Sequence, residues 1–473
     1  MTTAVSTETD TPRRGFVAPL DLAGPDVQRT IMRLALPSVV GLSINALHHT
    51  VNAVFVGMIG AHAMAAISVV FPLMMIVGAI GEGLGVGAAA TIGRLLGRGA
   101  IGRASVTAST VMAAAVPVGL ALTLAILWMR QPLLAALGAT ADTWSMADSY
   151  VGVMAFGATL TLLQIIADFV AIAEGNTRFS MWTLLGGFAL NIVLDPILIF
   201  WLDMGVAGAA LATLLSQIAV LAAYAVYFHA RAGRVRVAVR LALLQSAILR
   251  PVVALGLPTT LASIVTAIAF AIVYYQAGSF GGDPAIAGLG IALRLLTLGS
   301  LPLIGFVLGV QAALSFAYGA GNRGRVLAAT RFALTVTSGF ALLYGCILVS
   351  FAVPIARLFS ADPAVQTVAA TAIVVIHAAF PLAGIRLAVL VLLQSMGQAR
   401  RAALVSLAPQ GYLLIPLLFV LPPWLGLGGI AVALAIAAAL ASVLAIVLLI
   451  PVVRELGSPV HWTPEVTDIA RTS

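Results

Sequence analysis

Leu34-Ala35-Leu36-Pro37-Ser38 and Leu255-Gly256-Leu257-Pro258-Thr259 lie 221 residues apart and read as one motif written twice. Working outward, further pairs keep the same order and nearly the same offset. Gly85-Val86-Gly87-Ala88-Ala89 matches Gly309-Val310-Gln311-Ala312-Ala313, and Ala141-Asp142 matches Ala361-Asp362. Gly175 through Arg178 matches Gly397 through Arg400, and Gly205-Val206-Ala207-Gly208 matches Gly426-Leu427-Gly428-Gly429. No pair is specific by itself in a chain so rich in Ala, Gly and Leu. Five in register imply a duplicated unit.

Composition says what the unit is made of. Of 473 residues, 62% are hydrophobic and 8% charged, with a mean hydropathy of +1.12. Soluble domains carry about 25% charged residues, so that class is excluded. Apolar stretches of about 20 residues, each long enough to cross a bilayer as a helix, recur along the chain. They are continuous rather than alternating, which excludes a membrane barrel. Twelve fit, at 29–58, 64–96, 104–128, 145–173, 179–201, 205–229, 250–278, 285–318, 326–353, 364–396, 401–421 and 427–453. Six spans per half insert both halves the same way up. The expected fold is an all-α polytopic membrane protein: two six-helix lobes related by a pseudo-two-fold along the membrane normal, with a cavity between them.

The domain reading follows: a disordered cytoplasmic tail at 1–28, an N-lobe at 29–229, a cytoplasmic linker at 230–249, a C-lobe at 250–453 and a second tail at 454–473. The first 28 residues are polar, with no apolar core before a cleavage site, and do not read as a signal peptide. The single cysteine, Cys346, leaves no disulfide framework and no multi-cysteine metal site.

A net charge of +8 suggests a nucleic-acid partner only in a soluble protein. Here all the basic residues are Arg, and they sit in alternate loops. Arg13, Arg14, Arg29 and Arg33 precede the first span. Arg94, Arg98, Arg103, Arg178, Arg231, Arg234, Arg236, Arg240, Arg250, Arg323, Arg325, Arg331, Arg400 and Arg401 share that side, as do Arg454 and Arg471. The other side holds only Arg130 and Arg357. The positive-inside rule then places both termini in the cytoplasm of a multi-pass plasma (inner) membrane protein.

An ionised side chain in hydrocarbon costs roughly 2.5–3.5 kcal/mol, so acids inside spans are candidates for function. Glu82, Asp168 and Asp195 qualify, all in the first half. Asn191 lies one turn before Asp195 on the same face, and an amide beside a carboxylate can coordinate Na⁺ or steady a protonated acid. Thr213 and Gln217 make another polar pair one turn apart, and Asp168 follows Gln164 by one turn. Glu82 sits in Gly81-Glu82-Gly83-Leu84-Gly85-Val86-Gly87, whose glycines suit close helix packing better than phosphate binding. The first span carries Asn45, His48, His49 and Asn52, a set able to relay protons or to pack through hydrogen bonds. Arg294 and Arg386 fall inside spans of the second half, either facing acids across the cavity or snorkelling to an interface.

These motifs resemble the multidrug and toxic compound extrusion family over about residues 29–454. The likeness rests on Leu34–Pro37, Phe55-Val56-Gly57, Gly85–Ala88, Leu95-Leu96-Gly97 and Glu174-Gly175-Asn176. It rests above all on Asn191-Ile192-Val193-Leu194-Asp195-Pro196, with Gly205–Ala210, Ala212-Thr213 through Gln217, Gly309-Val310-Gln311 and Gln394-Ser395-Met396-Gly397. It is closest to the DinF-like branch. That resemblance implies a cation-coupling site at Asn191, Asp195 and Thr213, with Na⁺ or H⁺ as the coupling ion. The branch's first-span Asp is Asn52 here, its usual Arg before Ala-Glu-Gly is Ile172, and an Asn common in the fourth span is Asp168. One expectation is that the missing charge has moved to Asp168 or Glu82.

The reading is a secondary active antiporter, not an enzyme, exporting cationic or amphipathic organic molecules by alternating access. Asn52, Asp168 and Glu82 join Asn191, Asp195 and Thr213 as coupling residues, while His48, His49, Gln164, Arg294 and Arg386 line the substrate cavity. Partners are small organic substrates and the lipid bilayer, with no nucleic acid and no cofactor beyond the coupling ion. The chain is expected to act as a monomer. A lipid-linked oligosaccharide flippase of the same superfamily is the alternative. An intramembrane enzyme is disfavoured because HExxH, GxSxG and DDxxD patterns are absent, and an ATP-driven pump because no GxxxxGK[ST] occurs.

Overall fold

The computed structural model describes residues 18–457 except residue 243, and leaves out the side chains at 45, 46, 49, 50, 53, 61 and 241. Among the described residues the chain is helical, without strands. The first half comprises α1 (Val27–Ile59), α2 (Ala61–Gly97), α3 (Ile101–Trp128), the short α4 (Arg130–Ala136), α5 (Ala141–Ala173), α6 (Thr177–Pro196) and α7 (Gly205–His229). The second comprises α8 (Ser246–Gly319), α9 (Arg323–Ser350), α10 (Ala352–Phe359), α11 (Pro363–Ala378), α12 (Phe380–Ser395), α13 (Ala399–Leu407), α14 (Leu414–Val420), α15 (Pro422–Leu425) and α16 (Leu427–Gly457).

Eight described helices are long and apolar enough to cross a membrane, and α11 with α12, bent by 44°, makes a ninth. The 74-residue α8 contains two crossings: at 1.5 Å per residue it would be about 110 Å long if straight. It breaks instead at Gly282, whose φ of 62° no side chain tolerates well. α1 and the interrupted pair α13–α14 complete twelve.

The duplication is written in the backbone. Positive-φ glycines fall in four pairs at the repeat offset: Gly60 with Gly282, Gly99 with Gly321, Gly175 with Gly397, and Gly205 with Gly426. Each ends a helix or reverses the chain at the corresponding place in its half.

Among the described residues the close contacts between the two lobes gather at one end. Lipid offers no hydrophobic drive for helix association, so contact relies on small residues that let backbones approach. A Cβ added to Gly256 would lie 2.0 Å from the Gly83 carbonyl oxygen, and one added to Gly87 2.0 Å from that of Val252. A Cβ on Gly305 would lie 2.6 Å from Val39 Cα, and one on Gly309 2.5 Å from the Ala35 nitrogen. All these contacts lie toward the end carrying the Arg-rich loops. There Arg94 donates to the carbonyls of Gln394 and Ser395, both at 3.2 Å, so an N-lobe side chain caps a C-lobe helix. Toward the other end each lobe packs on itself. Val56, Val70, Tyr150 and Ala209 share one core; Ala269, Leu289, Ile373 and Leu434 share another. Farther along, the Thr260 hydroxyl donates across the lobes to the Ala79 carbonyl at 2.9 Å. The result is a cleft closed at the arginine-rich end and open at the opposite one.

One segment differs from the sequence expectation. The stretch 18–26, expected as part of a disordered tail, is docked. Leu22 is wholly buried, the Leu20 N–H donates to the Gly175 carbonyl at 3.1 Å, and Arg325 donates to the Leu22 carbonyl at 2.6 Å. Its few apolar residues find a groove that no local pattern announces. The linker is also held: Ala232 and Val235 are buried, and the N–H groups of Arg236 and Ala238 donate to Ser105 and Ser109 of α3. Residues 1–17 and 458–473, with Arg13, Arg14 and Arg471, lie outside the described residues.

Candidate functional site

Asp195 is fully buried in the N-lobe, one residue before Pro196 ends regular α6. Pro196 has no N–H to give, and the chain continues as a π-helical turn over Ile197–Trp201, a distortion common at functional sites. Asn191 is 1% exposed. Its amide satisfies every neighbour when the nitrogen faces Nε2 of His48 (2.6 Å) and Oδ2 of Asp195 (3.3 Å) and the oxygen accepts from the Thr213 N–H (3.2 Å). In that arrangement His48 Nε2 is an acceptor, so the imidazole is neutral with its proton on Nδ1. The ring stacks on Phe188, with centroids 4.4 Å apart.

Oδ1 of Asp195 is buried without a hydrogen-bond partner. The Thr213 hydroxyl turns back to the Ala209 carbonyl at 3.1 Å. The structure thus brings Asn191, Asp195 and Thr213 together, but Thr213 contributes its backbone, and His48 joins them from α1. Asn52 is half-buried, one turn beyond His48 on the same face. The side chains of Asn45 and His49 lie outside the described residues.

The other acids stand apart. Asp168 accepts from the Tyr224 hydroxyl at 2.6 Å, and Thr183 of α6 donates to that hydroxyl at 3.0 Å. Thr183 and Asp195 are about 18 Å apart along α6, so Asp168 does not reach the Asp195 site. Gln164 keeps its Oε1 buried and unpartnered, while Gln217 donates to Thr161 at 3.0 Å. Glu82 is exposed and makes no hydrogen bond or ion pair among the described residues. It shares the α2 face of Gly93, which packs on Ser315 of α8, and so sits at the floor of the cleft. Arg294 is exposed and Arg386 half-buried, and neither has an ion-pair or hydrogen-bond partner among the described residues.

Two buried ionisable residues lie outside the candidate set drawn from the sequence. Glu174, assigned to a loop, is 0% exposed. It accepts from the Tyr227 hydroxyl and from the N–H groups of Arg234 (2.7 Å) and Val235 (2.9 Å). Burial pushes its carboxyl up to about 7, against those hydrogen bonds, which favour the ionised form. His377, at the α11–α12 bend, is fully buried, with Nδ1 donating to the Ile373 carbonyl at 2.9 Å and Nε2 unpartnered. The only sequence signal for Glu174 is its place between a buried-helix end and the Gly175-Asn176 cap; His377 gives none beyond being a histidine in a span.

Comparisons with known proteins agree with this architecture. The MatE family model matches residues 37–197 and again 258–420, once per lobe. The multidrug export protein MepA of Staphylococcus aureus (strain N315) is 30% identical over 407 residues, covering 85% of this chain and 89% of its own. A transporter of the MOP superfamily from Pyrococcus furiosus, described as having a binding pocket of reverse polarity, superposes with a TM-score of 0.86 at 25% identity. It covers 92% of this chain and 98% of its own. A MATE protein in a bent conformation gives 0.87 at 25% identity, covering 92% and 97%. Two matched repeats, a two-lobed helical bundle and an Asn–Asp pair in the fifth crossing make one case: the chain belongs to the MatE (multidrug and toxic compound extrusion) family of membrane transporters.

Proposed function

We propose that this protein is a secondary active antiporter exporting drug-like organic molecules, cationic or amphipathic, in exchange for H⁺ across the plasma membrane. MepA, the relative at 30% identity, is a multidrug export protein, which supports the substrate class. The Arg-rich loops support a cytoplasmic placement of both termini. On that topology the cleft opens outward, one of the two states alternating access requires.

The observation that carries the coupling step is the Asp195 carboxylate, wholly buried yet with Oδ1 unpartnered. A carboxylate so placed takes up a proton when the cleft faces the acidic side and releases it when access reverses. The donor set favours H⁺ over Na⁺. Asn191 gives the site its nitrogen and Thr213 turns its hydroxyl away, so that of these three side chains only Asp195 offers a free oxygen. Hard cations need several oxygens; a proton needs one. Each inward charge at 100 mV adds about 2.3 kcal/mol of drive to any concentration gradient.

The test is efflux of cationic dyes from proteoliposomes with the pH and Na⁺ gradients set independently. Export driven by the pH gradient alone, and lost in Asp195→Asn, is expected. Export unaffected by either gradient would defeat the antiporter reading; export driven only by Na⁺ would defeat the proton assignment.

A further inference from the structure

We propose that the C-lobe wall of the cleft carries an anion subsite centred on Arg294, which takes the carboxylate of an aromatic amphipathic substrate. The subsite deepens the transporter reading, resting on it for the cleft's role as substrate route. Its own basis is one unpaired cation, its depth and its neighbours.

Arg294 lies on the second half of α8, about 10 Å from the midpoint of that half-helix and so within the ~15 Å half-thickness of a hydrocarbon core. It makes no hydrogen bond or ion pair among the described residues. Facing lipid at that depth, a guanidinium would cost roughly 2.5–3.5 kcal/mol. The helix geometry points it elsewhere. Arg294 precedes Gly305 by eleven residues, within about 20° of the same face, and Gly305 is packed on Val39 of the N-lobe. The opposite side of α8 is taken: Gly299 packs on Tyr344, and Gly288 on Val368. Arg294 therefore continues the N-lobe-facing stripe outward, into the part where the lobes have separated.

A pocket of about 320 Å³ is built around it by Phe270, Tyr274, Leu293, Thr297, Leu298 and Leu301. Tyr274 lies eighteen residues after Gly256, five full turns, and so on the face that Gly256 presents to α2. The pocket thus joins aromatic and aliphatic walls to a single guanidinium whose planar fork matches a carboxylate in two parallel hydrogen bonds. The nearest cleft acid among the described residues, Glu82, is level with about residue 307 of α8, roughly 20 Å further in. It does not neutralise Arg294. A monoanion on a flat apolar body is what this combination fits: charge to the guanidinium, ring against Phe270 and Tyr274.

The experiment uses the full-length protein in nanodiscs of phosphatidylcholine and three matched probes: 1-pyrenebutyrate, its methyl ester and 1-pyrenebutylamine. Equilibrium binding is measured with partition into empty nanodiscs subtracted. Wild type is expected to prefer the acid over the ester, and Arg294→Gln to weaken the acid about 10- to 100-fold, the span of a charge-assisted pair. The same change should leave the ester, the amine and the melting temperature unaltered, which separates loss of the subsite from loss of the fold. Arg294→Lys should keep part of the acid preference. Equal binding of acid and ester by wild type, or an unaltered acid affinity in Arg294→Gln, overturns the proposal. A second arm adds phosphatidylglycerol: acid binding retained supports a soluble substrate, whereas acid binding abolished assigns the site to a lipid phosphate and overturns it. None of these readouts needs an ion gradient, so failure of the antiporter reading and failure of the subsite remain distinguishable.

Discussion

The Asp195 site and its counterpart in the second lobe occupy equivalent places and share nothing chemically. His48, Asn191, Asp195 and Thr213 correspond, 221 residues on, to Ala269, Tyr412, Pro416 and Leu434. Ala269 and Leu434 are buried in an ordinary apolar core. The counterpart of α6 is cut by a turn at 408–413 between α13 and α14, so it has no continuous face to carry an acid pair. One lobe thus packs this location with apolar side chains while the other places an incompletely satisfied carboxylate there. The scaffold has no structural need of Asp195, and a buried, half-satisfied acid lowers stability. That contrast supports the coupling role proposed for Asp195.

The largest expected effect is on that contrast. Asp195→Asn should abolish pH-driven efflux in proteoliposomes, while Tyr412→Phe at the equivalent of Asn191 should leave it nearly unchanged. Comparable losses in both would mean that coupling is shared between the lobes. The closed and open ends of the cleft make the next contrast. Gly256→Ala should destabilise by about 1–3 kcal/mol through overpacking against Gly83. Gly78→Ala, with nothing within 4 Å of the new Cβ, should be neutral or stabilising by about 0.5–1 kcal/mol. Equal melting temperatures would contradict the tight interface.

His48→Gln should slow efflux about 10-fold, the value of one hydrogen bond near a charged group, because Asn191 loses the partner that orients it. Turnover at the wild-type rate would reduce His48 to packing. The smallest effect concerns Glu174, whose counterpart is the apolar Met396. Its folded-state carboxyl sits near 7, above the ordinary 4.5, so the fold favours the protonated form. That contribution is full below pH 4.5 and is lost as pH rises through 7. The melting temperature should therefore fall by about 1–4 °C between pH 5 and pH 8 in wild type, and the slope should flatten in Glu174→Gln. An unchanged slope would show that other groups set the pH response.

Much of this was legible beforehand because bilayer physics is strict. Spans need length and apolarity, repeats need the same turn glycines, and an acid inside a span stands out against its neighbours. Asn191 and Asp195 were found that way. His48 was seen only as one of several polar residues on α1, since nothing in the sequence says which helix faces α6. Local pattern places Glu174 in a loop, and only the returning linker, through Arg234 and Val235, buries it. The count of acids suggests a relocation of charge to Asp168. The distance along α6 and the bond to Tyr224 put it in a separate network.

The sequence by itself determined the class, the two-lobed topology and the asymmetry of charge, because hydropathy, turn glycines and arginine placement act locally along the chain. Only the tertiary structure decided which polar groups meet and at which end the lobes close. It also decided that residues 18–26 dock rather than trail, and that Arg294 borders a pocket with Phe270 and Tyr274. Those outcomes depend on helix rotation and on contacts between residues hundreds of positions apart, which composition and periodicity do not encode.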